Sequence, residues 1–233
     1  MKPLLLTASL LLLPLLASAQ QVEWSGQITT GVAAFRGASA ESSSAINVND
    51  SRPEASYTNN PYGRRWGLSY GAAVQGQFVG RRGLLLGAQL GYDLLRPAVR
   101  ITGVNTNLRP FNQVEGEAHL NNQFISLNPY LGQRLRMGEV ALDMTVGMEI
   151  ARQLACREKA QYTLNGTDLE TNRDRATQFW DTRLRAGLTL SRGPLSLTAS
   201  YAHGLSNYKE GWVGGVNEAY MRVLRLGGAY RFH

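Results

Sequence analysis

Hydrophobic and polar residues alternate along much of this chain with a period of two. The clearest segment covers residues 140–150, where every second residue from Val140 to Ile150 is apolar. The residues between them are small or polar and include Asp143 and Glu149. Because successive side chains of a β-strand point to opposite faces, this pattern predicts a strand with one apolar face and one polar face.

Seven further segments repeat the alternation, so the chain carries eight candidate strands. They cover residues 24–32, 66–78, 84–94, 125–131, 180–190, 195–201 and 224–232. Most are longer than the ~5–6 residues typical of soluble strands and close to the ~9–11 residues that a tilted membrane strand needs. Their polar face carries charges among many glycines, which fits a narrow closed interior better than a soluble β-sandwich, the main structural alternative.

The connections between the candidate strands alternate between short and long. The short ones are residues 80–83, 136–139 and 191–194, and the long, polar ones are residues 36–63, 102–123, 151–178 and 204–220. Short periplasmic turns, long external loops and an even strand count are typical of bacterial outer-membrane barrels. Unpaired backbone groups are costly in hydrocarbon, so the first strand must pair with the last. The predicted fold class is therefore all-β, an eight-stranded antiparallel up-and-down transmembrane β-barrel.

Aromatic residues lie near the ends of these segments, where a barrel meets the two membrane interfaces. We expect one group at the periplasmic rim: Trp24, Phe78, Tyr230 and Phe232. We expect a second group at the outer rim: Trp66, Tyr92, Trp180, Tyr201 and Tyr220. Two such girdles are a feature of outer-membrane barrels.

The first nineteen residues have the pattern of a secretory signal peptide. Lys2 precedes an apolar run from Leu4 to Leu16, and the small residues Ala17-Ser18-Ala19 follow it. We expect cleavage after Ala19, with residues 20–233 forming the barrel domain. No later apolar stretch approaches the ~18 residues of a spanning helix. The sequence therefore predicts an exported protein integral to the outer membrane.

The net charge of +7 comes from 24 Lys and Arg residues against 17 Asp and Glu residues. No basic run is longer than two residues, so the chain has no pattern typical of nucleic-acid binding. We expect its partners to be outer-membrane lipid and lipopolysaccharide, and we expect a monomer. The single cysteine, Cys156, cannot form an internal disulfide, and we interpret it as a thiol in a loop.

The polar face predicts a set of structural charges inside the barrel. These residues are Asp143, Glu149, Arg183, Arg185, Arg225 and Arg231. Buried charges are tolerated when they are paired, and we expect Glu149 to lie opposite Arg183 and Asp143 to lie nearer Arg185. Because side chains fill the interior of an eight-stranded barrel, the sequence predicts a salt-bridged lumen rather than an ion path. A narrow pore is an alternative.

An enzyme is a further alternative, because His203 and Ser206 lie close together in the sequence. A lipid A-modifying hydrolase would need a histidine and a serine in hydrogen-bond contact. Residues three apart point to opposite faces of a strand, so the pair requires a turn at Gly204. We therefore assign no catalytic residues and expect no cofactor.

The acidic segment from Asp168 to Asp174 alternates like a calcium-binding loop. It lacks the glycine at the sixth position, and Phe179 replaces the closing glutamate. We interpret the segment as a solvated loop without a metal ion.

The end of the chain resembles the terminal signal of outer-membrane barrels. Residues 224–232 form an amphipathic strand that closes on Phe232, followed by His233. Residues 124–135 and 201–207 resemble the small outer-membrane β-barrel domain family, which includes PorT-like and OmpA-OmpX-like eight-stranded barrels. The resemblance implies that the barrel insertion machinery recognises the last strand. It implies a fold more than an activity.

Overall fold

The computed structural model describes residues 19–49, 55–105, 112–164, 166–176, 179–212 and 214–232. The proposed signal peptide, apart from Ala19, lies outside the described residues. Cleavage after Ala19 therefore stays a prediction. Among the described residues, no helix is long and apolar enough to cross a membrane.

The described chain forms twelve β-strands in one sheet. They are β1 (Ala19–Arg36), β2 (Ser43–Asn47), β3 (Tyr57–Thr58), β4 (Gly67–Gly80), β5 (Leu84–Leu95), β6 (Ala98–Asn105), β7 (Asn112–Met137), β8 (Val140–Leu164), β9 (Thr167–Asp174), β10 (Trp180–Arg192), β11 (Leu195–Gly204) and β12 (Tyr220–Arg231).

Eight of these strands close into a ring, which we call the barrel tier. Each strand pairs antiparallel with the next in the order β1, β4, β5, β7, β8, β10, β11 and β12. Strand β12 then pairs antiparallel with β1, from Ser25↔Arg231 to Arg36↔Tyr220. The predicted eight-stranded antiparallel up-and-down barrel is therefore confirmed.

Three short turns close one end of the barrel tier, where the sequence predicted them. Each turn carries a glycine with a positive φ: Gly83 at 78°, Gly138 at 64° and Gly193 at 59°. Glycine adopts this left-handed conformation without the strain that a Cβ would cause. The tight turns therefore place both described chain ends and all three hairpins at one rim, and the long connections at the other.

The long connections are largely strands rather than the predicted solvated loops. Strands β2, β3, β6 and β9, together with residues 112–121 of β7 and 155–164 of β8, form what we call the outer tier. Its strand order is β3-β2-β6-β7-β8-β9, and the β2–β6 pair is parallel. The loop assignments are therefore wrong over most of residues 102–123 and 151–178, and over the short strands β2 and β3 within residues 36–63.

Two clusters of buried apolar side chains lie at and beyond the long-loop rim. The first, the mouth cluster, covers that rim of the barrel and includes Phe35, Tyr62, Phe124, Tyr208 and Met221. The second, the outer core, lies inside the outer tier and includes Ile46, Val99, Ile101, Val114 and Tyr162. The interior of the barrel tier is mainly polar, so the apolar core of this protein lies at and above the mouth.

Candidate functional site

The outward face of the barrel tier is an apolar belt. Its side chains alternate with buried inward ones as the sequence predicts, and Ile28 and Leu197 are 73% and 70% exposed. The belt includes the exposed residues Leu68, Val74, Leu90, Leu127, Leu131, Met144, Val146, Met148, Leu184, Leu188, Leu224 and Leu226. Surface hydrophobicity of this extent is unfavourable in water and favourable against hydrocarbon.

The first charged cluster of the lumen lies near the short-turn rim and centres on Arg134. Its Nε donates to Asp143 Oδ1 at 2.6 Å, and its Nη2 donates to Glu23 Oε2 at 2.8 Å. Arg231 Nη1 donates to the other oxygen of Glu23 at 2.6 Å. The expected proximity of Asp143 to Arg185 is wrong, because cross-strand register places Asp143 opposite Arg134 and Thr189.

The second charged cluster lies towards the mouth and centres on Glu149. Its carboxylate is fully buried and accepts from three guanidinium groups, at 2.6 Å from Arg183, 3.0 Å from Arg225 and 3.2 Å from Arg185. The Glu149–Arg183 contact is a direct cross-strand pair between β8 and β10.

Two more carboxylates balance the excess of arginine in this second cluster. Asp93 accepts both Nε and Nη2 of Arg225, at 3.1 and 3.0 Å. Asp181 accepts Arg183 Nε at 2.8 Å. The cluster thus joins three arginines to three carboxylates, which offsets part of the cost of burying each charge.

A layer of side-chain amides lies between the two charged clusters. Gln89 donates to Gln27 at 2.6 Å, and Gln27 donates to Thr198 at 2.7 Å. Arg185 donates to Gln89 Oε1 at 2.6 Å, which joins this layer to the second cluster. The cavities that adjoin the layer hold ≈ 30 Å³ each, enough for one or two water molecules.

Aromatic side chains of the mouth cluster close over the second charged cluster. The ring of Phe35 contacts those of Tyr62 and Tyr208 edge to face, with centroids 5.1 and 5.0 Å apart. Tyr208 donates its hydroxyl to Asp181 at 2.5 Å, and Arg183 lies 4.7 Å from the Phe124 ring centroid. Burial raises the pKa of the Tyr208 hydroxyl, and the Asp181 carboxylate raises it further, so this hydroxyl keeps its proton.

A buried ionic contact holds the outer tier together. Glu158 on β8 is fully buried and accepts both the backbone N–H and the hydroxyl of Thr58, each at 2.6 Å. Arg175, just after β9, donates to the same carboxylate at 2.5 Å and also to the Thr58 carbonyl. One side chain therefore ties the connection after β1 to the hairpin of β8 and β9.

Sequence reasoning left four of these lumen charges out of its site: Glu23, Asp93, Arg134 and Asp181. Glu23 and Asp93 lie between two apolar residues, and Arg134 and Asp181 each have one apolar neighbour, so the period-two pattern already placed all four inside. Extending the 125–131 segment by two steps, to Leu135, would have found Arg134. Their partners are a different matter, because Arg134 and Glu23 are separated by 111 residues.

The structure does not bring His203 and Ser206 together as a catalytic pair. His203 lies on the outward face and its Nδ1 is 3.1 Å from the Tyr201 hydroxyl. Ser206 Oγ accepts the backbone N–H of Thr182 at 2.9 Å. Within the described residues, the two side chains therefore have different partners.

Two interpretations of loop residues are corrected by the structure. Cys156 lies in β8, buried in the mouth cluster, rather than in a loop. The acidic segment from Asp168 to Asp174 belongs to β9, paired with β8, rather than to a solvated loop. Among the residues that the structure describes, no group of three or more His, Cys, Asp or Glu side chains could hold a metal ion.

No protein-family model and no curated protein matches this sequence. Two solved structures are similar in outline. One is Ail, the attachment invasion locus protein of Yersinia pestis, solved with the heparin analogue sucrose octasulfate, with 14% identity, a TM-score of 0.35 and coverage of 91% of this chain and 100% of that chain. The other is Neisserial surface protein A, with 11% identity, a TM-score of 0.36 and coverage of 91% and 98%. Likenesses of this degree do not identify an activity.

Proposed function

We propose that this protein is an integral outer-membrane β-barrel, non-enzymatic and non-conducting, whose outer tier is a structural or binding platform. The observation that carries the proposal is the apolar belt around a closed ring of strands. Closure leaves the barrel tier without a free sheet edge, which is the condition for crossing hydrocarbon with strands.

The direction of the barrel in the membrane follows from its two rims. Short turns on the periplasmic side and long connections outside are the rule in bacterial outer-membrane barrels. This orientation places the outer tier outside the cell, in contact with lipopolysaccharide. It places the start of β1 and the end of β12 at the periplasmic rim, where Phe232 N–H donates to the Trp24 carbonyl at 3.0 Å. The insertion machinery would recognise this last strand.

The packing of the lumen favours a structural role over transport. The charges inside the barrel tier are paired with one another, the remaining cavities are about the size of water, and the mouth cluster covers the long-loop rim. A hydrated ion would have to displace both charged clusters. The different partners of His203 and Ser206 also favour a non-enzymatic role over lipid A hydrolysis.

Gel mobility and conductance together test this proposal. The mature protein is expected to begin at Gln20, to require detergent for solubility, and to migrate differently before and after boiling. In planar bilayers it should give no discrete current steps under conditions in which a porin control does. Protein that is soluble without detergent would contradict the membrane assignment, and a reproducible unitary conductance would contradict the filled lumen.

Lipid analysis tests the enzymatic alternative. Lipid A from cells that express the wild type should have the same acyl chains as lipid A from cells that express His203→Ala. A difference that disappears in this variant would overturn the non-enzymatic assignment.

A further inference from the structure

The long-loop rim carries basic side chains on the outward face of the barrel, directly above the apolar belt. On strands β12 and β1, these are Arg222 and Arg36. The outward position is set by alternation, because Arg222 follows the exposed series of Tyr230, Leu226 and Leu224 along β12. A charged side chain that faces lipid is costly unless its charged end reaches the membrane–water interface.

Both arginines are held against aromatic rings. The Arg222 guanidinium carbon lies 4.4 Å from the centroid of Trp66, and that of Arg36 lies 4.8 Å from the centroid of Tyr220. Arg36 also donates to the Gly204 carbonyl at 2.9 Å. These contacts orient the planar groups, so less conformational freedom is lost when they bind an anion.

The register of the strands brings the two cations into one patch. Arg222 lies opposite Ala34 on β1, two residues before Arg36 and on the same face. On its other side Arg222 lies opposite His203 of β11, which contacts the Tyr201 hydroxyl. We call the group of Arg36, Arg222, His203, Tyr201 and Trp66 the rim patch.

Among the residues that the structure describes, the positive charge of the rim patch has no counter-charge. Neither Arg36 nor Arg222 forms an ion pair with a carboxylate among the described residues. The Nε atoms of both are buried and have no hydrogen-bond acceptor in the same part of the chain. In the lumen, by contrast, Arg134, Arg183 and Arg225 all contact carboxylates. An external anion would supply the missing counter-charge.

We propose that the rim patch binds a phosphate group of an outer-leaflet glycolipid, that is, a lipid A phosphate of lipopolysaccharide. This inference rests on the proposed outer-membrane location and names a lipid site for it. Guanidinium groups match phosphate oxygens in charge and geometry. The exposed side chains beneath the patch, including Leu224 and Leu68, would contact the acyl chains of the same molecule.

The depth of the patch selects a lipid phosphate over a soluble one. The anion would lie at the boundary between belt and water, where the phosphates of amphipathic lipids lie, and where Trp and Tyr side chains also concentrate. A free phosphate ion would contact the charges but would gain nothing from the apolar surface below them.

Native mass spectrometry of the purified full-length protein in detergent micelles tests the site. Titration with bisphosphorylated lipid A should give one saturable adduct, weakened at least tenfold in Arg36→Gln/Arg222→Gln, since two charge-assisted contacts are lost. Dephosphorylated lipid A should bind the wild type about as weakly as the phosphorylated form binds the double variant. Inorganic phosphate should compete poorly, and competition at equal concentration would indicate a site for free phosphate instead.

Arg152→Gln is the matched control, because Arg152 also faces outward on β8 and lies 4.7 Å from the ring of Phe179. It should bind lipid A as the wild type does. An equal loss in Arg152→Gln, or no loss in the double variant, would overturn the rim patch as a site and leave the arginines as interfacial anchors. Gel migration of each variant before and after boiling keeps the two proposals separate. A chain that never forms a barrel shows no difference in migration, whereas a barrel with a damaged rim patch still shows it.

Discussion

The barrel tier and the outer tier are built partly from the same strand, yet their faces have opposite polarity. In the lower part of β8, Met144 and Met148 face outward and are exposed, whereas Asp143 and Glu149 are buried inside. In the upper part, the outward residues Arg157, Lys159 and Gln161 are exposed and polar, and the inward Ala160 and Tyr162 are buried and apolar. In the proposed membrane location the surroundings decide which face is apolar, because the barrel tier would face hydrocarbon and the outer tier would face water.

A β-bulge lies between the two tiers. Cross-strand partners on β7 and β8 shift between Gln123↔Ala155 and Phe124↔Gln153, so Leu154 is an extra residue. Leu154 and Ala155 are both exposed, which breaks the strict alternation at this point. Inward positions on β8 are odd-numbered below the bulge and even-numbered above it. An extra residue of this kind re-aims every side chain that follows it.

Inserting one alanine after Ala155 is expected to have the largest effect, because a single bulge then no longer keeps the two tiers in phase. Cys156, Glu158 and Tyr162 would then point outward, and the outer core would lose the packing of Tyr162. We expect the barrel tier to insert normally while the outer tier becomes sensitive to protease added outside intact cells. Deleting Leu154, which removes only the extra residue and leaves Gln153 and Cys156 inward by strict alternation, should stay resistant. Equal sensitivity of both variants would show that the bulge does not set the phase.

Removing a charge from the lumen should destabilise the barrel tier before it affects the outer tier. Glu149→Gln leaves three arginines with one fewer carboxylate, and breaking such a buried pair costs ~3–5 kcal/mol in the free energy of unfolding. Arg183→Gln should cost a similar amount. Urea unfolding in lipid vesicles measures both, and the double variant should cost less than the sum. Strict additivity would mean that the 2.6 Å contact contributes no coupling.

A charge on the belt tests the outward polarity of the barrel tier. Met144→Arg places a cation against hydrocarbon, which costs ~2–4 kcal/mol at the midplane of a barrel. Thr145, the next residue, faces the lumen, so Thr145→Asn should be tolerated. The same unfolding measurement compares the two. A loss of similar size in both variants would mean that the faces of β8 are assigned wrongly.

The ionic contact of the outer tier should give the smallest and most local effect. Glu158→Gln weakens the charge-assisted hydrogen bonds that this side chain makes to Arg175 and Thr58. Weakening them at this buried position should cost ~1.5–3 kcal/mol in the free energy of unfolding. We expect faster amide hydrogen exchange at β3 and no change in barrel insertion. Arg157→Gln, which breaks the exposed ion pair with Asp174 at 2.9 Å, is the control and should leave exchange unchanged. Uniformly faster amide exchange in both tiers would contradict the expectation that the two tiers open independently.

The sequence alone predicts the barrel tier well because neighbouring residues differ strongly, with exposed apolar side chains outside and buried polar ones in the lumen. Segment 140–150 alternates without interruption, so its faces can be assigned directly. Residues 155–164 also alternate, but their phase changes at Leu154, and their outward Arg157 and Lys159 are typical of a solvated loop. A search that keeps one phase and expects apolar residues outside therefore ends at the bulge.

The partners of the lumen charges needed the structure for a different reason. Alternation places Asp143 inside but does not give its neighbour across the lumen, which depends on the register of distant strands. Arg134 is nine residues away on the adjoining strand, and Glu23 reaches the same guanidinium from the start of the barrel. The Glu149–Arg183 and Asp143–Arg134 contacts each join two neighbouring strands, whereas the contact of Arg134 with Glu23 needed closure of the whole ring.

The length of β8 has a consequence for what reaches the cell surface. Residues 155–164 rise at ~3.3 Å each along a strand, and with the ~40° tilt of barrel strands they gain roughly 25 Å of height. That height is similar to the ~25 Å apolar band below it. In the proposed orientation, a macromolecule approaching the cell would therefore meet a β-sheet well above the lipid phosphates. Sequence change at the tip of β8 and β9 can alter that first contact while the lipid-facing surface stays the same.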